Sequence, residues 1–204
     1  MARYRVLKDK DVRKELTDLL VDELEKQKEL DGHPMRIIQE FTINSGNARI
    51  DVATINGLLS GYEIKSDADT LERLPSQIRE YNKIFETITL VVGEKLLYNA
   101  IDIIPDWWGI ILFKESKSGQ LRLYKIRNAQ YNHNQSIYHV LNLLHRDEIL
   151  HFLNEQPRRS AFSYSKMNKR ELCNIAAKNI PKANITSSIK NYIIASNRYI
   201  RSDQ

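Results

Sequence analysis

The chain has 204 residues, of which 28% are charged, and a net charge of +5. A chain of this length can bury a core of ordinary size as one domain, without disulfide or metal staples. Its single cysteine, Cys173, excludes an internal disulfide framework, and no Cys/His pattern has the spacing of zinc ligands.

No apolar run approaches the roughly 18 residues that a membrane span requires. The start, MARYRVLKDKDVRKEL, is charged and lacks the apolar core of a signal peptide. We therefore expect a cytoplasmic protein with no membrane partner.

The first predicted element is an amphipathic helix over about residues 9–29. It rests on apolar residues at helical spacing, namely Val12, Leu16, Leu19, Leu20 and Leu24. The breaker Asp31-Gly32-His33-Pro34 ends it. Three strand candidates follow and predict a meander, at 35–43, 48–55 and 58–65.

The next segment predicts a crossover between parallel strands. Asp69-Thr70-Leu71-Glu72 has the pattern of a capping box, and Pro75 suits the first turn of a helix that runs to about Phe85. Residues 88–92, Ile-Thr-Leu-Val-Val, show no polar–apolar alternation, which favours a strand buried on both faces. A short helix at 96–101 and strands at 107–113 and 121–126 complete the predicted sheet.

From Ile137 onward the pattern is helical, with helices predicted at 137–154, 168–179 and 185–200. The order of elements predicts an α/β fold with a central mixed sheet flanked by helices. We divide the chain into a core, 1–135, and a helical C-terminal region, 136–204, with a linker near 156–160.

The C-terminal region is basic from about residue 156. From there to the end, ten Lys and Arg residues face two acidic ones, whereas residues 1–155 carry a net charge of −3. Clustered basic residues release counterions from phosphates, which favours a nucleic acid partner. The same segment also fits a helical cap over the sheet, and both interpretations can hold. The predicted phosphate contacts are Arg158, Arg159, Lys166, Lys169 and Arg170.

Asp51, Glu63 and Lys65 interrupt two strands whose other residues suit a sheet core. A three-residue loop at 55–57, with Gly57 left-handed, would pair Arg49 with Glu63. Asp51 and Glu63 would then be diagonal neighbours on one face, roughly 6–8 Å apart. A two-residue turn would put them on opposite faces instead.

Glu40 extends this pattern, because a first turn centred on Ser45-Gly46 places it opposite Asp51. Like charges facing each other destabilise a sheet, so a cation is expected there besides Lys65. Magnesium prefers such oxygen ligands. The simpler interpretation is that these are ordinary polar residues on a solvent face. The opposite face of the hairpin is predicted to be core, formed by Ile50, Val52, Tyr62 and Ile64.

The second and third predicted strands resemble the PD-(D/E)XK nuclease-like superfamily, because an Asp is followed, after eleven residues, by Glu-x-Lys. Gln77 and Tyr81 match the Gln-x-x-x-Tyr motif of a subset that includes RecB-like, Cas4-like and phage-type exonucleases. The stretch GYEIKSDADTLERLPSQIREYNKIFETITLVVG, followed by IPDWWGI, is similar to a family of bacterial and phage proteins regarded as nucleases. The resemblance covers about residues 10–113, and Ile50 replaces the motif's proline.

The resemblance implies a restriction-endonuclease-like core and a hydrolase that cuts phosphodiester bonds in DNA with Mg²⁺ or Mn²⁺. Carried onto this sequence, it makes Asp51 and Glu63 metal ligands, the carbonyl of Ile64 a third ligand and Lys65 the catalytic lysine. Gln77 would hold Lys65 or substrate, and Tyr81 would contact a phosphate or base or pack in the core.

The superfamily also has an upstream acid, for which three candidates stay open. Glu40 is favoured by the predicted register and by the resemblance. Glu23 is its rival, because it falls on the apolar face of the first helix, where an unpaired carboxylate would be costly. Glu15 is a weaker third candidate.

A metal-dependent DNA nuclease is the leading hypothesis. Its alternatives are a nucleic-acid-binding or interaction protein that keeps the fold without catalysis, and a nuclease directed at RNA. A homodimer is compatible with the sequence, but no feature requires one.

Overall fold

The computed structural model describes residues 9–31, 35–43, 46, 48–116, 118–156 and 164–196. Within them it forms an α/β fold, a six-stranded mixed sheet flanked by helices, which confirms the predicted class. No described helix is both long and apolar enough to cross a membrane.

The sheet contains the strands β1 (Arg36–Ile43), β2 (Ala48–Ile55), β3 (Leu59–Lys65), β4 (Thr87–Gly93), β5 (Gly109–Glu115) and β6 (Leu121–Arg127). The helices are α1 (Asp9–Asp31), α2 (Leu74–Tyr81), α3 (Leu97–Ile101), α4 (Ile137–Leu141), α5 (Arg146–Glu155), α6 (Lys169–Asn179) and α7 (Lys182–Ala195).

The strands follow one another across the sheet in chain order. β1, β2 and β3 form an antiparallel meander, as predicted. β3, β4 and β5 run parallel, and β6 returns antiparallel at the edge. The parallel pair β3–β4 is joined through α2, which confirms the predicted crossover.

Two apolar layers cover the sheet. On one face α1 buries Val12, Leu16 and Leu20 against β-strand residues such as Val52 and Ile64. On the other face, α2 and the four C-terminal helices share one buried cluster with the strands. The described part of the C-terminal region therefore forms the predicted helical cap, with Leu172, Ile189 and Ile193 fully buried.

Two helix predictions need correction. The helix predicted at 137–154 is two helices, because the chain breaks between α4 and α5 and a capping box of His145 and Glu148 starts the second. The helix predicted to start at 185 begins at Lys182, directly after Pro181. Its predicted end at 200 lies outside the described residues.

The capping box predicted at 69–72 is also wrong. α2 begins at Leu74, and its N-cap, Arg73, makes no side-chain hydrogen bond to the helix. Asp69 instead accepts hydrogen bonds from the backbone N and the hydroxyl of Ser66, at 2.7 and 2.6 Å, and so closes the turn after β3. Pro75 does lie in the first turn of α2.

The β2–β3 register differs from the predicted one by two residues. Ile55 pairs with Leu59 and Val52 with Tyr62, so the three-residue loop is 56–58 rather than 55–57. Gly57 has the predicted left-handed conformation, with φ of 85°. A shift of two residues preserves the face of every side chain, and it moves Asp51 from diagonal to level with Glu63.

Candidate active site

The β1–β2 ladder is interrupted at Glu40, without a change of register. Pairs on either side leave Glu40 level with Asp51, as predicted. Ile38 and Phe41, three residues apart, pack into the same apolar layer, so the strict alternation of faces along β1 breaks at this point. Glu40 has φ of 52°, a left-handed conformation that costs a non-glycine residue energy.

β2 bends at the same level. Ile50 and Ala53 both pack into the layer of α2, whereas Val52 packs against α1. The prediction that Ile50 shares a face with Val52, Tyr62 and Ile64 is therefore wrong for Ile50. Strict alternation fails because the strand is distorted where Asp51 leaves the ladder.

The Asp51 carboxylate accepts a backbone N–H of β3 that a strand partner would otherwise accept. Its Oδ2 accepts a hydrogen bond from the backbone N of Ile64 at 2.7 Å, and its Oδ1 accepts one from Arg13 Nη2 at 3.2 Å. Burial and, after it, the neighbouring Glu63 raise the pKa of Asp51 to about 7, and the Ile64 N–H and Arg13 offset only part of that rise. The contacts of this carboxylate therefore supply less positive charge than its ionised form requires.

Glu63 is buried and held from three sides. Its Oε1 accepts hydrogen bonds from Lys65 Nζ at 2.5 Å and Gln77 Nε2 at 2.6 Å, and its Oε2 lies 2.8 Å from Tyr81 Oη. Lys65 is itself only 5% exposed. The side chains of β3 and α2 thus fix one carboxylate and one ammonium at the floor of the site.

Tyr81 supports Glu63 from within the core. It is fully buried, and its ring stacks on Trp108 with centroids 6.4 Å apart. Burial and the nearby Glu63 raise the pKa of its hydroxyl. Of the roles predicted for Tyr81, the geometry fits core packing rather than contact with a phosphate or base. Gln77 holds Glu63, not Lys65, and its Oε1 is buried without a partner.

These residues line one cleft of about 550 Å³, here called the acidic cleft. The residues predicted from the sequence that it brings together are Glu40, Asp51, Glu63, Ile64, Lys65, Gln77 and Tyr81. Glu23 is elsewhere, exposed and 3.6 Å from Lys125. Glu15 is also exposed and lines a different cavity. The geometry thus favours Glu40 among the three upstream acids.

Sequence reasoning missed Arg13 and Asp9. Arg13 reaches from α1 into the acidic cleft and contacts three carboxylates, those of Asp9, Glu40 and Asp51, at 2.5, 3.0 and 3.2 Å. Its side chain is 14% exposed. The signal in the sequence was the four-residue spacing of Asp9 and Arg13, which places them on one helix face.

The predicted phosphate contacts of the C-terminal region do not form one described patch. Arg158 and Arg159 lie outside the described residues. Lys169 Nζ donates to the carbonyl of Asn142 at 2.8 Å and so closes the C-terminus of α4. Lys166 and Arg170 are exposed. Two arginines that were not predicted, Arg49 and Arg73, are exposed at the acidic cleft.

The donor set of the cleft fits a hard cation with few protein ligands. Among the described residues, no three His, Cys, Asp or Glu side chains are grouped to hold a metal ion, so Glu40 does not complete a ready three-carboxylate site. Mg²⁺ is usually bound through one or two carboxylates and several waters. Asp51, Glu63 and the carbonyl of Ile64 suit that pattern, and the unpaired Gln77 Oε1 offers an acceptor for a bound water.

The profile of a family described as "Bacteriophage P4 protein cII" matches residues 8–204 of the chain. Protein cII of Enterobacteria phage P4 is 29% identical over 119 residues, an alignment that covers 58% of this chain. The same alignment covers 45% of that relative, so the chain matches less than half of its length.

Two solved structures show weaker similarity. One, from Silicibacter pomeroyi, is a protein of unknown function with 18% identity and a TM-score of 0.34, over 50% of this chain and 64% of that one. The other is SfsA of Pyrococcus furiosus in complex with Ca²⁺, with 12% identity and a TM-score of 0.37, over 62% and 68%. Similarities of this size carry no argument about function.

Proposed function

The chain belongs to the bacteriophage P4 protein cII family, and we propose that it is a metal-dependent nuclease with a PD-(D/E)XK-type site that hydrolyses phosphodiester bonds in DNA. One observation carries the proposal: Asp51 from β2 and Glu63 and Lys65 from β3 converge in one open cleft. A purely structural role would not require two acids of like charge to meet beside a cavity.

The raised pKa of Asp51 supports a cation in the cleft. Burial and Glu63 both disfavour its charged form, so a divalent ion would relieve the repulsion. Asp51, Glu63 and the Ile64 carbonyl would hold Mg²⁺ or Mn²⁺. When bound, such an ion supplies an activated water and neutralises charge on the phosphate oxygens.

The protein residues around that position have separate tasks. Lys65 Nζ, beside Glu63 Oε1, stabilises the negative charge that develops on the attacked phosphate. Gln77 and Tyr81 fix the orientation of the Glu63 carboxylate. Arg49 and Arg73, exposed at the cleft, suit contacts to the nucleic acid backbone on either side.

One observation favours a second candidate, a nucleic-acid-binding protein on this fold without catalysis. Both oxygens of Asp51 and both of Glu63 already have hydrogen-bond donors within the chain. A divalent ion must therefore displace these donors or share the oxygens with them. If the ion never binds, the protein would bind nucleic acid without cutting it.

The deciding experiment incubates the purified full chain with linear, nicked, branched and single-stranded DNA and with RNA, in Mg²⁺, Mn²⁺ or chelator. We expect cleavage of DNA that requires the ion and is lost in Asp51→Asn, which retains an acceptor for the Ile64 N–H. Asp18→Asn is the matched control, because that exposed acid of α1 pairs with Lys14 outside the acidic cleft.

Cleavage that persists in Asp51→Asn would overturn the proposed site. Full activity in chelator would overturn the metal requirement. Nucleic acid binding without cleavage under every condition would instead favour the inactive alternative, and cleavage of RNA alone would correct the substrate.

A further inference from the structure

Arg13 occupies the position in the acidic cleft where three carboxylates meet. Its Nη1 donates to Glu40 Oε1 at 3.0 Å, and its Nη2 donates to Asp51 Oδ1 at 3.2 Å and to Asp9 Oδ2 at 2.5 Å. One guanidinium therefore forms ion pairs with three carboxylates. One of those carboxylates, Asp51, is a proposed ligand of the divalent ion.

We propose that Arg13 is a built-in competitor of the divalent ion, a tethered cation that must release Asp51 before the ion can bind it. This inference rests on the proposed function, since it concerns the affinity of the same site. In this role Arg13 sets the concentration at which the divalent ion fills the site. That role is separate from the Asp, Glu and Lys residues of the motif and from the hydrolysis itself.

The bonds of Asp51 make the competition direct. Its Oδ2 is taken by the backbone N–H of Ile64, which is fixed by the sheet, so Oδ1 is the oxygen that can be freed. Arg13 is the donor at Oδ1. Two cations drawn to one oxygen repel each other, so binding of the ion weakens the contact of the guanidinium.

The guanidinium also has space to move. A second cavity of about 560 Å³ lies beside the acidic cleft, lined by Arg13 together with Thr17, Asp18 and Gln39. Asp9 and Glu40 line both cavities, so Arg13 can shift outward while it keeps carboxylate partners. Its Nε is buried without a hydrogen-bond partner, so the present position leaves one donor unused.

The test is calorimetric titration of the folded full chain with Mn²⁺ alone, without nucleic acid. Arg13→Gln removes the competing charge, and we expect it to bind Mn²⁺ about tenfold more tightly than the wild type. A residue with a merely structural role would change the affinity in the opposite direction, because its loss would loosen the site.

Arg13→Lys provides a second variant if Arg13→Gln fails to fold. Lysine keeps the charge but lacks the planar fork that bridges several carboxylates, so we expect about threefold tighter binding. Lys14→Gln is the matched control, since it removes the same charge from the next residue of α1, which is 79% exposed and pairs with Asp18. Its affinity for Mn²⁺ should equal that of the wild type.

A second readout is thermal unfolding in the presence and absence of Mn²⁺. Without the ion, Arg13→Gln leaves Asp9, Glu40 and Asp51 without their shared cation and should unfold at a lower temperature than the wild type. Saturating Mn²⁺ should narrow or close that difference, because the ion replaces the lost charge.

Unchanged or weaker binding of Mn²⁺ by both Arg13 variants would overturn the role of Arg13 while leaving the proposed nuclease intact. Absence of binding by the wild type and by both variants would overturn the inference together with the metal requirement. Wild-type binding that survives Asp51→Asn would locate the ion elsewhere and also contradict both.

Discussion

A carboxylate accepts a backbone N–H at each end of β3, but the surroundings of the two carboxylates differ. At the start of the strand, Glu86 accepts the backbone N–H of Leu59 at 2.6 Å and pairs with Lys190 at 3.2 Å, one charge against one. At its other end, Asp51 accepts the N–H of Ile64 and faces Glu63 at the acidic cleft.

Both carboxylates thus accept a backbone N–H of β3. Hydrogen bonding to the strand therefore does not by itself mark a functional site. The difference lies in the balance of charge. Around Asp51 and Glu63, Asp9 and Glu40 add further negative charge, and among the described residues of the cleft three cations, Arg13, Arg49 and Lys65, pair with members of these four acids. The excess of acid beside open space is what suits a cation.

The largest expected effect is a difference in cleavage rate between variants at the two ends of β3. Glu63→Gln keeps the shape of the side chain but removes a proposed ligand, and we expect cleavage to fall by about 10³-fold. Glu86→Gln should leave cleavage per folded molecule unchanged. Single-turnover rates on labelled DNA measure both, and an equal loss in the two variants would abolish the distinction.

The same two substitutions should affect stability in the opposite order, with the larger loss in Glu86→Gln. Glu86→Gln leaves Lys190, whose side chain is 16% exposed, without its charge partner, and we expect a loss of about 3 kcal/mol in the free energy of unfolding. Glu63→Gln should cost less, about 1 kcal/mol, because relief of the repulsion between Glu63 and Asp51 offsets part of the loss of the Lys65 charge pair. Urea unfolding with chelator measures both. A larger loss in Glu63→Gln would contradict the comparison.

The pH dependence of stability should come from the acidic cleft. The folded chain keeps the Asp51 proton up to a pKa of about 7, whereas an unfolded chain loses it near 3.8. The free energy of unfolding therefore falls as pH rises between these values, by about 2 kcal/mol after screening of a partly exposed group.

Asp51→Asn should remove that fall, because asparagine carries no titrating proton. Denaturant unfolding across this pH range, with chelator present, compares it with the wild type and with Asp18→Asn, which should retain the fall. Identical pH profiles for wild type and Asp51→Asn would show that Asp51 is not the group concerned.

The smallest predicted effects come from two tyrosine hydroxyls. Tyr81→Phe keeps the buried ring but removes the hydroxyl beside Glu63 Oε2, and we expect about tenfold slower cleavage and a loss of about 1 kcal/mol. Tyr131→Phe is the counterpart at the other end, where the hydroxyl lies 3.5 Å from Glu86 Oε1. Cleavage by Tyr131→Phe should equal that of the wild type, and a matching loss would argue against a local role of Tyr81.

The common face of Asp51 and Glu63 was predictable because alternation along a strand survives any even shift in register. The register itself was not, since the loop could start one residue earlier or later around Gly57. Packing decided it: Gly61 lies opposite Ala53 and beneath Ile50 and Phe85, where a Cβ would come within 2.6 Å of Ile50.

The contribution of α1 was harder to predict. Its buried stripe, Val12, Leu16, Leu20 and Leu24, repeats every four residues and leaves Glu23 exposed, contrary to its predicted place on the apolar face. The same stripe turns Arg13 toward Asp51, a residue 38 positions away. Lys190 is 104 positions from Glu86, so that pair could not be read from spacing either.

Anomalous diffraction from crystals of the full chain soaked in Mn²⁺ tests the proposed metal site at Asp51 and Glu63 directly. We expect a peak within coordination distance, about 2.1 Å, of a carboxylate oxygen of Asp51 and one of Glu63, near the carbonyl of Ile64. A peak bound elsewhere, or none in a soak that saturates binding in solution, would contradict it.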